Sequence, residues 1–180
     1  ALEFRRVVVT GEFLHEHEFY LVNRSLKGKA GLNIVTLLKR ADGGDHVLIN
    51  RGWVPFDQRE LKSRPNSQPK GRVTVEGIVR LAKGRGFFTP NNEPHNNTWF
   101  YLDPNGMSAA AGTSPLQSYY ILAANKTDGG LPVGHQWRFD VRNDHLQYAI
   151  TWFLLAAVWV VMTYFFARRL RALESQGQDT

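Results

Sequence analysis

The sequence predicts a mainly β protein: a small antiparallel, barrel- or sandwich-like extracytoplasmic domain with one short helix, followed by a C-terminal transmembrane helix. Three observations lead there. Seven short stretches rich in β-branched and aromatic residues are separated by clusters of Gly, Pro, Asn and Asp. From Tyr148 to Ala167 the chain carries no charge, a run of about 20 residues that at ~1.5 Å per residue crosses a hydrocarbon core of ~30 Å. Arg168, Arg169 and Arg171 follow that run at once, whereas its other flank carries Asp140 and Asp144. The positive-inside bias then places the tail in the cytoplasm or mitochondrial matrix and the long polar part across the membrane. The expected division is a β-rich domain over 1–140, a transmembrane helix over 143–170 and a tail over 171–180.

The elements follow in order. Arg5 to Phe13 holds Val7-Val8-Val9-Thr10 before Gly11, a strand ending in a bend. Phe19 to Asn23 reads as a second strand and Leu32 to Lys39 as a third. The turn Ala41-Asp42-Gly43-Gly44-Asp45 joins the third to His46–Val54, the clearest hairpin in the chain. Asp57 to Lys70, with Pro65 and Pro69, is expected to be an exposed loop. Arg72 to Leu81 alternates apolar and polar residues as a half-buried strand does. Gly84 to Asn97, rich in Gly, Pro and Asn, reads as a long ordered loop before the aromatic strand Trp99–Leu102. Asp103 can cap a short helix with Pro104 at its first position, Met107 to Ala111 as its body and Gly112 at its end. Tyr119 to Ala123 is the last strand, and a Gly-rich connection over Asn125–Gly134 leads toward the membrane.

Composition excludes several functions. The 180 residues contain no cysteine, which removes disulfides, iron–sulfur clusters, thiolate zinc sites and cysteine nucleophiles. Only Met107 and Met162 offer soft sulfur, too little for a Cu(I) carrier. The net charge of +6 comes partly from the arginines after the span, and the other cations are scattered, so no nucleic-acid partner is expected. Gly84-Arg85-Gly86 is followed by phenylalanines rather than a dinucleotide-binding helix, and no Ser–His–Asp pattern stands out. The chain does not read as an enzyme.

His145 is the sharpest candidate for chemistry. It stands just before the apolar run, and on a helix Tyr148, Ala149, Trp152, Ala156, Trp159 and Thr163 share its face. Two alanines allow close approach and the aromatic rings offer stacking, so a flat macrocycle could lie there with the imidazole as axial ligand to its iron. The competing reading makes His145 a cap or headgroup-layer residue within an aromatic belt. His15 and His17 share a strand face and could chelate a metal, but no third ligand converges from the sequence, and a solvated edge reads equally well. Arg51, beside Gly52, could grip an anion such as a propionate; alternatively Asn50-Arg51-Gly52-Trp53 forms a barrel corner, with Gly52 bending and Trp53 filling the core. His46, His95 and His135 lie in turns or loops.

Four segments together resemble the Surfeit-locus protein 1 family of cytochrome c oxidase assembly factors. They are Gly11-Glu12-Phe13-Leu14-His15 with Glu18-Phe19-Tyr20-Leu21; Val47 through Pro55; Phe88-Thr89-Pro90-Asn91-Asn92 with Asn97-Thr98-Trp99-Phe100 and Asp103; and Asn143 through Trp152. They cover almost the whole chain, and the second and fourth are the specific ones. The resemblance implies a domain flanked by two transmembrane helices. It lies on the periplasmic side of a bacterial cytoplasmic membrane or the intermembrane side of the mitochondrial inner membrane. Such proteins assist maturation of oxidase subunit I, with haem a synthase as a further expected partner and the lipid bilayer as surroundings. It also implies haem a as a transiently bound cofactor, held through a histidine that matches His145. The family's first helix has no counterpart here; the chain begins Ala1-Leu2-Glu3 without methionine and so reads as truncated. The alternative role is a haem-independent scaffold that binds and stabilises oxidase assembly intermediates.

Overall fold

A computed structural model describes residues 3–124, 130–134 and 145–177. The chain divides into two compact units, Ala1–Trp137 and Arg138–Thr180. The first is built on six strands: β1 (Arg6–Leu26), β2 (Lys29–Arg40), β3 (Val47–Pro55), β4 (Arg72–Leu81), β5 (Thr98–Trp99) and β6 (Tyr119–Ala123). Helix α1 (Pro104–Ala111) interrupts them between β5 and β6. The second unit carries α2 (His145–Gly177).

The first two expected strands are one. Val7 to Thr10 starts β1 in register with β4, and Phe19 to Leu21 continues the same strand against β2. The break read at His15 to His17 is a bulge: Leu14 pairs with Leu37, but the next residue of β1 in register is Glu18, opposite Thr36. A bulge lets one strand bend sharply without ending, which is why one long strand looked like two.

Hydrogen-bonded neighbours run β1–β2–β3–β6–β4 and return to β1, so the ring of pairings closes. The sheet is mixed rather than purely antiparallel, because β3–β6 and β1–β5 are parallel. The cause is connectivity. A hairpin partner must be antiparallel, but β6 arrives after a long excursion through β5 and α1 and is free to enter between β3 and β4 in the direction of β3.

Inside this ring Phe13, Leu38, Val47, Ile49, Val75 and Ile121, drawn from all five of its strands, form one cluster. On the opposite face of β2 and β3, Phe19, Val35, Leu37, Leu48, Trp99 and Met107 form a second, with the Trp99 and Phe19 rings edge-to-face at 5.5 Å. Met107, fully buried, is the contribution of α1 to it. That short helix is held as its sequence predicts: Asp103 Oδ1 accepts from Gly106 N at 3.1 Å, Pro104 opens it, and Gly112 at φ +63° closes it.

Two connections differ in character. Asparagine side chains hold the long loop before β5: Asn92 Oδ1 accepts from Phe100 N at 2.8 Å, and Asn97 Nδ2 donates to Glu18 O at 2.7 Å. The connection after β3, expected to be an exposed loop, is instead three 3-10 turns (Phe56–Gln58, Leu61–Ser63, Pro65–Ser67) that bury Arg64 and Ser67. Its polar composition is real, but part of it faces inward.

α2 runs for 33 residues, and its stretch His145–Arg169 is long and apolar enough to cross a membrane, with none of it buried inside the protein. Leu, Val, Phe and Trp surround it on every side, the pattern of a helix whose solvent is lipid. Thr151 and Thr163 turn their hydroxyls onto backbone carbonyls four residues back, at 2.9 and 2.7 Å, which hides them from an apolar medium. The helix continues past Arg171, so part of the expected tail is helical.

Candidate functional site

Two irregularities in the sheet set two charged side chains in the interior, where a third joins them from the connection after β3. In β1 the bulge ends at Glu18. In β3, Ile34 pairs with Gly52 and Val35 with Asn50, leaving Arg51 as the extra residue. Gly52 sits at φ +126°, and a Cβ there would meet Val133 O at 2.2 Å. Only glycine suits that position, and the bend it permits lets Trp53 exchange backbone hydrogen bonds with Val133. This is the corner geometry, with Trp53 buried as expected.

The displaced side chains meet. Arg51 Nη1 faces Glu18 Oε2 at 3.7 Å, Arg51 Nη2 donates to Ser67 O, and the guanidinium lies 4.7 Å from the Phe13 ring centroid. Arg64 completes the cluster from the connection after β3. Its donors reach both Glu18 carboxylate oxygens, the Ser67 hydroxyl at 3.0 Å, and the carbonyls of Gln58 and Arg59 at 3.0 and 3.1 Å. That uses the full fork of a guanidinium. Glu18 and Arg64 side chains are each 2% exposed. Burial pushes the Arg51 guanidinium down to about 10; Glu18 opposes the shift and Arg64 adds to it. One carboxylate between two buried cations is an interior lock, which pins the connection after β3 onto β1.

Of the sequence-derived candidates, Arg51 therefore lies in this lock. His15 is half-buried, its Nε2 2.9 Å from Pro69 O, and its ring 5.7 Å from Phe13. His17 is half-buried and His95 exposed. Among the described residues no three His, Asp or Glu side chains come together as a metal site. His135 and the flank over 135–144 lie outside the described residues.

The other three candidates share α2. His145 is its first residue, and Tyr148 and Trp152 follow one and two turns on, 66% and 69% exposed. Ala149 and Ala156 lie between and beyond them on the same face, also exposed. The donor set fits an iron porphyrin: one imidazole, two small residues for close approach, and aromatic faces for contact with an apolar ring.

Sequence reasoning missed Glu18 and Arg64. Glu18 left a faint signal, an acid directly before the apolar stretch Phe19-Tyr20-Leu21. Arg64 left none, because a cation between a serine and a proline in a polar segment looks solvated.

A closed mixed sheet with a charged lock inside, joined in one chain to an apolar helix that opens on histidine, defines a β-domain protein with one helix long and apolar enough to cross a membrane and no recognisable catalytic constellation among its described residues. The SURF1 family model matches residues 1–157. The chain is 36% identical over 179 residues to a SURF1-like protein of Monosiga brevicollis, covering 93% of this chain and 68% of the relative. It is 33% identical over 179 residues to Surfeit locus protein 1 of Takifugu rubripes (91% and 74%) and 35% identical over 173 residues to that of Homo sapiens (87% and 56%). The chain belongs to the SURF1 family, a family of assembly factors. It spans 56% of the length of the Homo sapiens relative.

Proposed function

We propose that the chain is an assembly factor for cytochrome c oxidase that holds haem a through His145 and passes it toward subunit I, with haem a synthase as the source of the cargo. The observation that carries this reading is the face of α2: an imidazole at the first residue of an apolar helix, then Tyr148, Ala149, Trp152 and Ala156, all exposed. An imidazole is a common axial ligand of haem iron, and a single protein ligand leaves the cargo exchangeable. The rings of Tyr148 and Trp152 supply apolar contact area. Placing residues 1–140 outside the cytoplasm rests on Arg168, Arg169 and Arg171 at the other end of the span. Arg51 is assigned to the interior lock and not to a propionate, because its guanidinium already meets Glu18, Ser67 and Phe13. The test is an absorption spectrum of the protein purified from cells that make haem a: a haem a band travels with the protein on this reading, and colourless protein contradicts it.

A haem-independent scaffold is the second reading. Phe87 and Phe88 favour it: they stack edge-to-face at 4.9 Å and are almost fully exposed, and exposed aromatic surface marks interaction sites. On that reading colourless protein still co-purifies with subunit I.

A further inference from the structure

A cleft of about 450 Å³ opens on the β domain where Arg24 of β1, Asn33 of β2, Arg80 of β4 and Tyr120 of β6 approach the segment that follows β4. That volume falls within the range of small-molecule sites. Asn33, only 6% exposed, lines it, and its side-chain oxygen has no hydrogen-bond partner. A buried amide group left unpaired costs about 1–3 kcal/mol, and either orientation of the amide needs a partner in the cleft. The neighbouring Asn50 is satisfied, accepting from Gly52 N at 3.2 Å.

The cleft is also cationic. Arg24, Arg80 and Lys83 line it, and none of its lining residues is Asp or Glu. Glu3 reaches Arg80 at 3.4 Å, which leaves Arg24 and Lys83 as the cations without a carboxylate partner in the described residues. Arg24 donates to the carbonyl of Asn23 at 3.1 Å, and burial lowers its affinity for the proton, the mark of a cation withdrawn from water. Burial raises the Tyr120 phenol, so its hydroxyl stays a donor beside Arg24 and Arg80. Leu21 and Phe100 give the wall an apolar part.

We propose that this cleft binds an organic carboxylate: the carboxylate lies against Arg24 and Lys83, a polar group beside it pairs with Asn33, and the carbon body packs on Leu21 and Phe100. The apolar wall selects an organic acid over inorganic phosphate. The carboxylate belongs either to a free acid or to an acidic side chain of a polypeptide, and both present the same chemistry.

The experiment titrates the full chain in detergent micelles by calorimetry with N-acetylglutamate, the peptide acetyl-Glu-Glu-amide, N-acetylglutamine amide and inorganic phosphate. The two carboxylates are expected to bind and the amide and phosphate to bind at least about tenfold more weakly, the loss of one charge-assisted hydrogen bond. Arg24→Gln and Lys83→Gln are each expected to weaken the carboxylates by a similar factor. Lys83 is exposed, so its variant keeps the fold even if the Arg24 variant melts early. Tighter binding of the peptide identifies a polypeptide source, and equal binding a free acid. Carboxylates that bind no better than the amide or phosphate, or that bind both variants as well as wild type, overturn the proposal.

Discussion

Arg64 reaches back 46 residues in the chain to close on Glu18, donating to Oε2 at 3.3 Å and to Oε1 as well. This pair joins the connection after β3 to the bulge of β1, and Arg51 shares the same carboxylate at 3.7 Å. Two cations on one acid fix the geometry of the interior, because each loses its compensation if the acid goes.

Glu18→Gln is therefore expected to destabilise the domain by about 3 kcal/mol or more, the cost of leaving buried charge unpaired. Urea unfolding followed by tryptophan fluorescence measures it. Arg64→Met is expected to cost a similar amount, and the Glu18→Gln, Arg64→Met double variant to fall well short of the sum, since the two residues act in one network.

Gly52→Ala tests the corner. The added Cβ would meet Val133 O at 2.2 Å in a backbone conformation of φ +126°, so a loss of about 2 kcal/mol or more is expected in the same unfolding assay. Gly43→Ala, at φ +77° in open space, adds backbone strain without a clash and is expected to cost less.

The sequence revealed what local rules control. The hairpin of β2 and β3 followed from Ala41-Asp42-Gly43-Gly44-Asp45, the capped helix α1 from Asp103, Pro104 and Gly112, and α2 from an uncharged apolar run; each feature is written within a few residues. Gly52 and Trp53 were legible as a corner for the same reason. The lock was not. Its three charges come from β1, β3 and the connection after it, and they meet only because two register shifts turn strand residues inward. A one-residue shift is a property of the paired strands, with no composition of its own. The parallel entry of β6 likewise depends on where a distant strand finds room. The α2 face was readable because helical spacing alone defines it.

Tyrosine ionisation provides a test of the interior at alkaline pH. Burial raises the Tyr20 and Tyr120 phenols above their ordinary range, with Glu18 and Glu60 adding to the shift at Tyr20. Both groups favour the protonated form in the folded state, so their contribution to stability is complete below the unfolded value of about 10 and is lost as the pH rises through the folded one. A titration of absorbance near 295 nm is expected to show a late phase that shrinks in Tyr20→Phe and in Tyr120→Phe. A single phase unchanged by either substitution would contradict the burial described.

The most direct measurement of the central claim is the ratio of haem a to protein in wild type, His145→Ala and Trp152→Ala, each purified from membranes of cells that make haem a. The account predicts that His145→Ala loses the haem a band while its membrane insertion and yield are unchanged, and that Trp152→Ala keeps a reduced ratio because it removes ring contact but not the iron ligand. An equal ratio and an identical Soret band in wild type and His145→Ala would contradict it.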